Sequence, residues 1–222
     1  MNIQKRFILY LNNIMSLICF IDTETSGLPI TRKNRIFFPY QEHDAYDESR
    51  IVSIALVFFN PNLNKIISQS YFMRSPEDEP DMHWGAEHIH QITKEKASTE
   101  GITMNTIIQK NLKFLMNSSQ LVAHNIDFDY HVFMNEIFRT KQYPELLTHL
   151  EQINKVCTMK IGKDITKIPS KIDPTRIIYP KLTYLLQHLT GHELVGAHNA
   201  LNDCLACLEI YIELSKRNLI PL

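Results

Sequence analysis

Two carboxylates, Asp22 and Glu24, stand one residue apart at the end of the apolar run Leu17-Ile18-Cys19-Phe20-Ile21. The chain then turns through Thr25-Ser26-Gly27-Leu28. A short run of large apolar residues reads as a buried strand. Side chains two apart on a strand point to the same face, so both carboxylates aim the same way. Like charges at that spacing raise each other's energy unless a cation lies between them. An all-oxygen donor set favours magnesium or manganese. An isolated Asp-x-Glu is ordinarily a solvated turn, and two later segments weigh against that reading here.

The first is Leu121-Val122-Ala123-His124-Asn125-Ile126-Asp127-Phe128-Asp129, an apolar run ending in a polar turn. Phe128, Val132 and Phe133 then recur at helical spacing. Asp129 therefore falls in the first turn of a helix, where the dipole favours a carboxylate. The second is His198-Asn199-Ala200-Leu201-Asn202-Asp203, which opens a helix carrying Leu201, Leu205, Leu208 and Ile212. Residues five apart on a helix point to different faces. His198 is thus expected in the loop before the helix, within reach of a site that Asp203 lines.

Together these segments resemble the DEDDh family of 3′–5′ exonucleases, in the ribonuclease H-like superfamily. Phe20 to Leu28 matches that family's F-[IV]-D-x-E-T-[ST]-G-L. His124 to Asp129 matches H-N-x-x-F-D, and His198 to Asp203 matches H-x(4)-D. The order is the family's, and the likeness runs from about Leu17 to about Lys216. Softer similarities are Arg50-Ile51-Val52-Ser53-Ile54-Ala55, like the second strand, and His90-Gln91-Ile92-Thr93, like an H-G-I-T turn. Gln91 stands where the family has glycine, the residue suited to positive φ. In the sister group a tyrosine stands four residues before the last aspartate, and here that position is Asn199.

The resemblance implies an α/β fold, a ribonuclease H-like mixed five-stranded sheet flanked by helices with the first strand central. It implies hydrolysis of phosphodiester bonds at 3′ ends, releasing nucleoside 5′-monophosphates. Two divalent ions, magnesium or manganese, activate the water, position the phosphate and relieve charge on the leaving oxygen in such sites. The implied ligands are Asp22, bridging both ions, with Glu24 and Asp203, and Asp129 at the rim through water. His198 is implied as the base that takes the proton from water, a role suited to imidazole near neutral pH. Thr25, Gly27, Leu28, Asn125 and Phe128 fall on the substrate side, Leu28 as an apolar wedge. His124 and Asn125 are expected to build the turn presenting Asp129. The remaining motif-free histidines, such as His43, His83 and His192, are expected in the surface or core.

The chain has 222 residues, enough for one domain with additions, and its 44% hydrophobic content supplies a core. Its net charge of −1 excludes a general polyanion binder, although a nuclease needs positive charge only along its strand path. No apolar run reaches the length of a membrane span. Lys5 and Arg6 before Phe7-Ile8-Leu9-Tyr10-Leu11 faintly resemble a signal peptide, but Asn12 and Asn13 interrupt it and a core strand follows. Residues 1–14 are expected to be a dispensable extension, with the exonuclease domain over 15–222. Cys204 and Cys207 lack a second metal-binding pair and read as buried hydrophobes. Reduced thiols fit an intracellular location, cytoplasm or nucleus.

Pattern predicts strands near 17–22, 51–59, 65–73, 120–124 and 154–158, and helices near 103–117, 127–139, 181–190 and 200–216. Two stretches read as inserted loops, near 29–49 and 159–180. In the first, Arg32, Lys33 and Arg35 precede Phe37, Phe38, Tyr40 and Tyr46. Such a loop either stacks on bases of a single strand or packs on the domain. The second sits in a run from Lys155 to Lys181 with seven cations and only Asp164 and Asp173 opposing them. It reads as an irregular basic loop and candidate phosphate track. The acidic stretch Glu77-Asp78-Glu79-Pro80-Asp81 is expected to face away from nucleic acid.

The expected partner is nucleic acid with a 3′ end, single-stranded or frayed, with DNA favoured over RNA, and with a polymerase as a possible further partner. The alternatives are an RNA-trimming exoribonuclease, a ribonuclease H-like endonuclease, an interaction protein with a structural acidic cluster, and a catalytically silent nucleic-acid-binding or polymerase-docking module. The silent module predicts loss of at least one site residue, and all four carboxylates and His198 are present.

Overall fold

The computed structural model describes residues 17–197 and 199–220. His198 and the proposed extension, 1–14, lie outside the described residues. The strands are β1 (Leu17–Thr25), the two-residue β2 (Thr31–Arg32) and β3 (Ile36–Phe37), β4 (Ile51–Asn60), β5 (Lys65–Met73), β6 (Ser118–Ala123) and β7 (Asn154–Cys157). The helices are α1 (Glu87–His90), α2 (Lys94–Glu100), α3 (Met104–Met116), α4 (Ile126–Thr140), α5 (Pro144–Gln152), α6 (Thr158–Thr166), α7 (Leu182–Thr190) and α8 (Ala200–Lys216). Among the described residues, no helix is long and apolar enough to cross a membrane.

The main sheet has the order β5-β4-β1-β6-β7. β1 pairs antiparallel with β4 and parallel with β6, so the strand carrying Asp22 and Glu24 is central. This is the expected ribonuclease H-like mixed sheet flanked by helices. β4 is buried at all ten positions, and its sequence, apolar except at Ser53 and Asn60, suits a strand covered on both faces. β5, at the sheet edge, alternates exposed and half-buried residues over most of its length.

The two faces of β1 enter different cores. Leu17, Cys19 and Ile21 pack with side chains of α3, α4 and α5, including Ile107, Ile108, Val132, Phe133 and Leu150. Ile18 and Phe20 pack against Ala200, Cys204, Cys207, Leu208 and Tyr211 of α8. Both α8 cysteines are thus small apolar groups against the sheet, and all four cysteines are free and buried. On its other side α8 meets α7 through Ile210 and Leu214 against Leu185, Leu186 and Leu189.

Both stretches read as inserted loops carry short regular elements, β2 and β3 in the first and α6 in the second. In 29–49 the rings turn toward the domain. Tyr46 is fully buried, and Phe37, Phe38 and Tyr40 pack against the larger core. Phe37 stacks on His131 at 4.8 Å, and the Asn135 amide donates to the Tyr40 carbonyl at 2.6 Å. Packing on the domain therefore prevails over base stacking for these aromatics. The run from Lys155 to Lys181 contains the helix α6, which Gly162 allows to lie against α7: a Cβ there would come 2.5 Å from Leu185. In the acidic stretch, Asp78 and Glu79 turn inward onto Arg74 and Arg50.

Gln91 caps α1 at φ 58, the left-handed region. The turn therefore keeps a conformation suited to glycine while carrying a side chain. His90, buried beside it, accepts from Ile92 N at Nδ1 (3.1 Å) and so donates from Nε2 to the Gly85 carbonyl (2.9 Å). Because a left-handed non-glycine residue costs roughly 1–2 kcal/mol and Gln91 is exposed, Gln91→Gly is expected to raise unfolding free energy by about 1 kcal/mol in urea titrations. A loss of stability would mean that the glutamine side chain supports the turn.

Candidate active site

Asp22 and Glu24 continue the Ile18 and Phe20 face of β1, the face that α8 covers. Asp203, in the first turn of α8, meets them there. One carboxylate oxygen from each of Asp22, Glu24 and Asp203 lies within 4.8 Å of the others. Asn199 sets the start of α8, its side chain accepting from Leu201 N at 3.1 Å and Asn202 N at 3.3 Å. Strand parity and this cap together place Asp203 over the strand end.

Asp129 reaches the same strand end from the opposite helix layer. Thr23, whose side chain points to the α4 face, donates to Asp129 Oδ1 from its backbone N–H (3.0 Å) and its hydroxyl (2.8 Å). Asp129 is thus anchored to β1 rather than belonging to the three-carboxylate cluster. Asn125 begins α4 at φ 87, a conformation asparagine tolerates better than most residues. His124 braces that turn, with Nδ1 3.0 Å from Thr158 Oγ1 and Nε2 3.1 Å from the Pro180 carbonyl. Burial pushes the His124 imidazole down to about 4, so it is neutral near pH 7.

The electrostatics are unfavourable without a cation. Burial, then Asp129, Asp203 and Glu24, raise the Asp22 carboxyl well above its ordinary value. Burial and Asp203 raise Glu24 to about 7. Burial raises Asp129 to about 7 against the opposing hydrogen bonds from Thr23. A cluster of three carboxylates with all-oxygen donors, in which Asp22 and Glu24 are disfavoured as anions, fits a divalent ion.

Beside Glu24 lies a cavity of about 210 Å³ lined by Thr23, Glu24, Thr25, Gly27, Leu28, Ala86, Ile89, His90 and Phe128. Leu28 is 78% exposed, an unusual state for a large apolar residue at the mouth of a pocket. Gly27 is required, because a Cβ there would sit 2.6 Å from the Glu48 carbonyl oxygen. The Thr25 hydroxyl donates to the Gly27 carbonyl at 2.7 Å and so shapes the turn. Of the expected substrate-side residues, Thr25, Gly27, Leu28 and Phe128 line the cavity, while Asn125 lies in the turn behind Phe128. Ala86, Ile89 and His90 are lining residues that the sequence reading missed. The H-Q-I-T likeness was a signal for His90 alone, and nothing local says that this turn folds over the strand end. A neighbouring cavity of about 390 Å³ shares Ile89 and His90 and reaches Gly196, Ala197, Asn199 and Asn202.

Residues 19–211 match the RNase_T family of exonucleases. The chain belongs to that family. No curated protein matches it by sequence. Among solved structures, E. coli Exonuclease I bound to a dT13 oligonucleotide superposes with a TM-score of 0.65 at 18% identity, over 90% of this chain and 41% of that one. The zinc-bound form of the E. coli enzyme with single-stranded DNA gives 0.62 at 18%, over 91% and 41%. The nuclease domain of 3′hExo, a DEDDh family member bound to rAMP, gives 0.58 at 16%, over 92% and 94%. At these identities the likeness is one of fold. This RNase_T exonuclease chain spans about two fifths of Exonuclease I and nearly all of the 3′hExo domain.

Proposed function

We propose that this chain is a DEDDh-type, metal-dependent 3′–5′ exonuclease that releases nucleoside 5′-monophosphates from single-stranded or frayed ends, DNA ahead of RNA. The observation that carries the reading is the carboxylate cluster of Asp22, Glu24 and Asp203 opening beside an apolar pocket with Leu28 at its mouth. Asp22, Glu24 and Asp203 would hold two magnesium or manganese ions, with Asp129 at the rim through water. When bound, such ions supply an activated water, an oriented phosphate and charge relief on the leaving oxygen. Leu28, Ile89 and Phe128 receive the terminal base. The turn from Thr25 to Leu28 fixes the last sugar, and Asn125 keeps Phe128 and Asp129 in place from behind. A pocket of this size takes one nucleotide, which favours attack at an end over attack within a strand. The domain is taken as 15–222, with residues 1–14 dispensable.

His198 is assigned as the acceptor of the proton from the attacking water. Its neighbours Gly196, Ala197 and Asn199 line the cavity that shares Ile89 and His90 with the pocket beside Glu24. His198→Ala is expected to lower kcat by about 10²–10⁴-fold, with the alkaline rate recovering in part as hydroxide replaces the base. A variant within twofold of wild type, where roughly 10²-fold is the least expected of a general base, would assign the proton to another group.

The test is a matched degradation assay. One sequence, 5′-labelled, is offered as single-stranded DNA, duplex DNA with a mismatched 3′ end, and RNA, with magnesium and with EDTA. A magnesium-dependent ladder shortening from the 3′ end, fastest on single-stranded DNA, is the expected result. Fastest shortening of RNA would establish the RNA-trimming reading, which the 3′hExo likeness favours. No shortening on any substrate would leave a nucleic-acid-binding or polymerase-docking module.

A further inference from the structure

The basic segment after β7 is built as a projecting arm. From Lys167 the chain runs out and returns to Pro180, held by an antiparallel bridge between Pro169 and Ile177. Ser170 N donates to the Arg176 carbonyl at 2.8 Å and Ile178 N to the Ile168 carbonyl at 2.9 Å. Both ends of the arm are tied to the turn that opens α4. Pro180 accepts from His124. Lys160, in α6 at the base, pairs with Asp127 at 2.6 Å. Asp127 precedes Phe128, which lines the pocket, and Asp129 by one and two residues.

The arm's surface combines cations with exposed apolar groups. Of the cations from Lys160 to Lys181, only Lys160 forms an ion pair among the described residues. Lys163 lies over the ring of Tyr179 at 4.8 Å, and Lys167, Lys171, Arg176 and Lys181 are exposed. The one acid near the tip, Asp173, accepts from Thr175 Oγ1 at 2.6 Å and from Thr175 N. Ile172 is 97% exposed and Tyr179 48%. A chain of net charge −1 has no general need of such a patch. Cations that follow phosphates, interleaved with flat or apolar groups that meet bases, suit a single strand. The aromatics of 29–49 are turned inward, although Arg32, Lys33 and Arg35 stay exposed there beside Ile30 and Ile36; the arm differs in keeping a half-exposed ring, Tyr179, among its cations.

We propose that the arm, residues 160–181, is the track for the strand on the 5′ side of the scissile bond. Lys167, Lys171 and Arg176 contact phosphates, and Ile172 and Tyr179 meet bases. The assignment of polarity rests on the exonuclease reading above; the binding itself does not.

The experiment is fluorescence anisotropy with magnesium omitted. It compares wild type with the triple variant Lys167→Gln, Lys171→Gln, Arg176→Gln, using a fluorescent thymidylate oligomer of about 20 nucleotides and a short trimer. The substituted side chains are exposed and the arm's internal bonds are backbone bonds, so the circular dichroism spectrum should not change. The variant should lose affinity for the long oligomer and little for the trimer. Three fewer phosphate contacts lower the salt slope by about 2. Wild-type affinity for the long oligomer should therefore fall about twentyfold more than the variant's between roughly 50 and 200 mM NaCl. Equal affinities and slopes would overturn the proposal. So would binding to anionic phospholipid vesicles that the variant loses while oligomer binding stays intact, which would assign the arm to a membrane surface. Arm-dependent binding by a wild type that hydrolyses neither oligomer once magnesium is added back would sink the exonuclease reading and keep the arm as a nucleic-acid site.

Discussion

Asp22→Asn is expected to abolish cleavage, by on the order of 10³-fold or more, while leaving the far-ultraviolet spectrum unchanged. The substitution keeps the side chain's shape and removes the anion at the centre of the cluster. Stabilisation of a phosphoryl transition state by bound ions amounts to several kcal/mol, and each 1.36 kcal/mol is about tenfold in rate. Asp203→Ala should have a comparable effect, because it removes the carboxylate that α8 supplies to the cluster. A rate near wild type at saturating magnesium would remove Asp22 from the metal assignment. The same variant carries a stability signature of opposite sign. A carboxyl raised by folding costs nothing while protonated and destabilises as pH climbs through the ordinary carboxylate range toward the folded value. For Glu24 that window runs from 4.5 to about 7, and Asp22 shifts in the same direction. Without divalent ions and above neutral pH, Asp22→Asn should therefore melt at a higher temperature than wild type. Magnesium should close or reverse the gap, since ions that bind the native wild type stabilise it by mass action. Identical melting curves with and without magnesium would count against a metal at this cluster.

Glu136→Gln is expected to lower the free energy of unfolding by roughly 3–5 kcal/mol. Glu136 is 1% exposed in α4, and it accepts from Arg50 Nε and Nη2 and from Arg74 Nη1, each at 2.9 Å. It also accepts from Ile51 N at 3.1 Å. Both arginines are themselves buried, at 2% and 3%. Removing the anion strands two guanidiniums in the interior with Glu79, Asp78 and partial hydrogen bonds to the amide. Burial alone would raise the Glu136 carboxyl, but Arg74 and Arg50 outweigh it and hold the carboxyl at about 2. The sign for pH follows. A depressed carboxyl contributes its full stability above the ordinary value of 4.5, and that contribution is lost as pH falls from there toward about 2. Urea titrations of wild type across that range should show a steeper loss than those of the variant. A variant within about 0.5 kcal/mol of wild type would show that the network is neutral. Activity should fall as well. Arg50 accepts from Ser26 N at 2.8 Å and donates its own N–H to Ser26 Oγ at 2.9 Å, so the network holds the turn that carries Gly27 and Leu28.

Much of this site was legible in the sequence because it depends on local geometry. The apolar run before Asp22 and the period of two placed Asp22 and Glu24 on one face of a buried strand. The helical spacings after Asp129 and Asp203 placed both near helix starts, in agreement with α4 and α8. The main strands of the sheet and the helices α3, α4, α7 and α8 lie close to their expected bounds. The short helices α1, α2, α5 and α6 escaped the reading. Each spans nine residues or fewer, so an apolar stripe has few turns in which to repeat; α7, equally nine residues long, was found through its denser leucines, Leu182, Leu185, Leu186 and Leu189. In α6 the lysines and Gly162 further obscure the period.

The order of residue types alone settles which chemical groups are present and which strand or helix face bears each, because backbone geometry fixes those periods residue by residue. Tertiary structure decided which faces meet. It brought Asp203 to Asp22 and Glu24 through the packing of α8 on one side of β1. It tied Asp129 to Thr23 from the other side, so that the carboxylates arrive from opposite layers. It folded Ile89 and His90 over the strand end to make a pocket, turned the aromatics of 29–49 inward, and paired Glu136 with arginines 62 and 86 positions away. These are contacts between residues distant in sequence. Side-chain shape and charge neutralisation in the buried interior select them, and neither leaves a periodic trace along the chain.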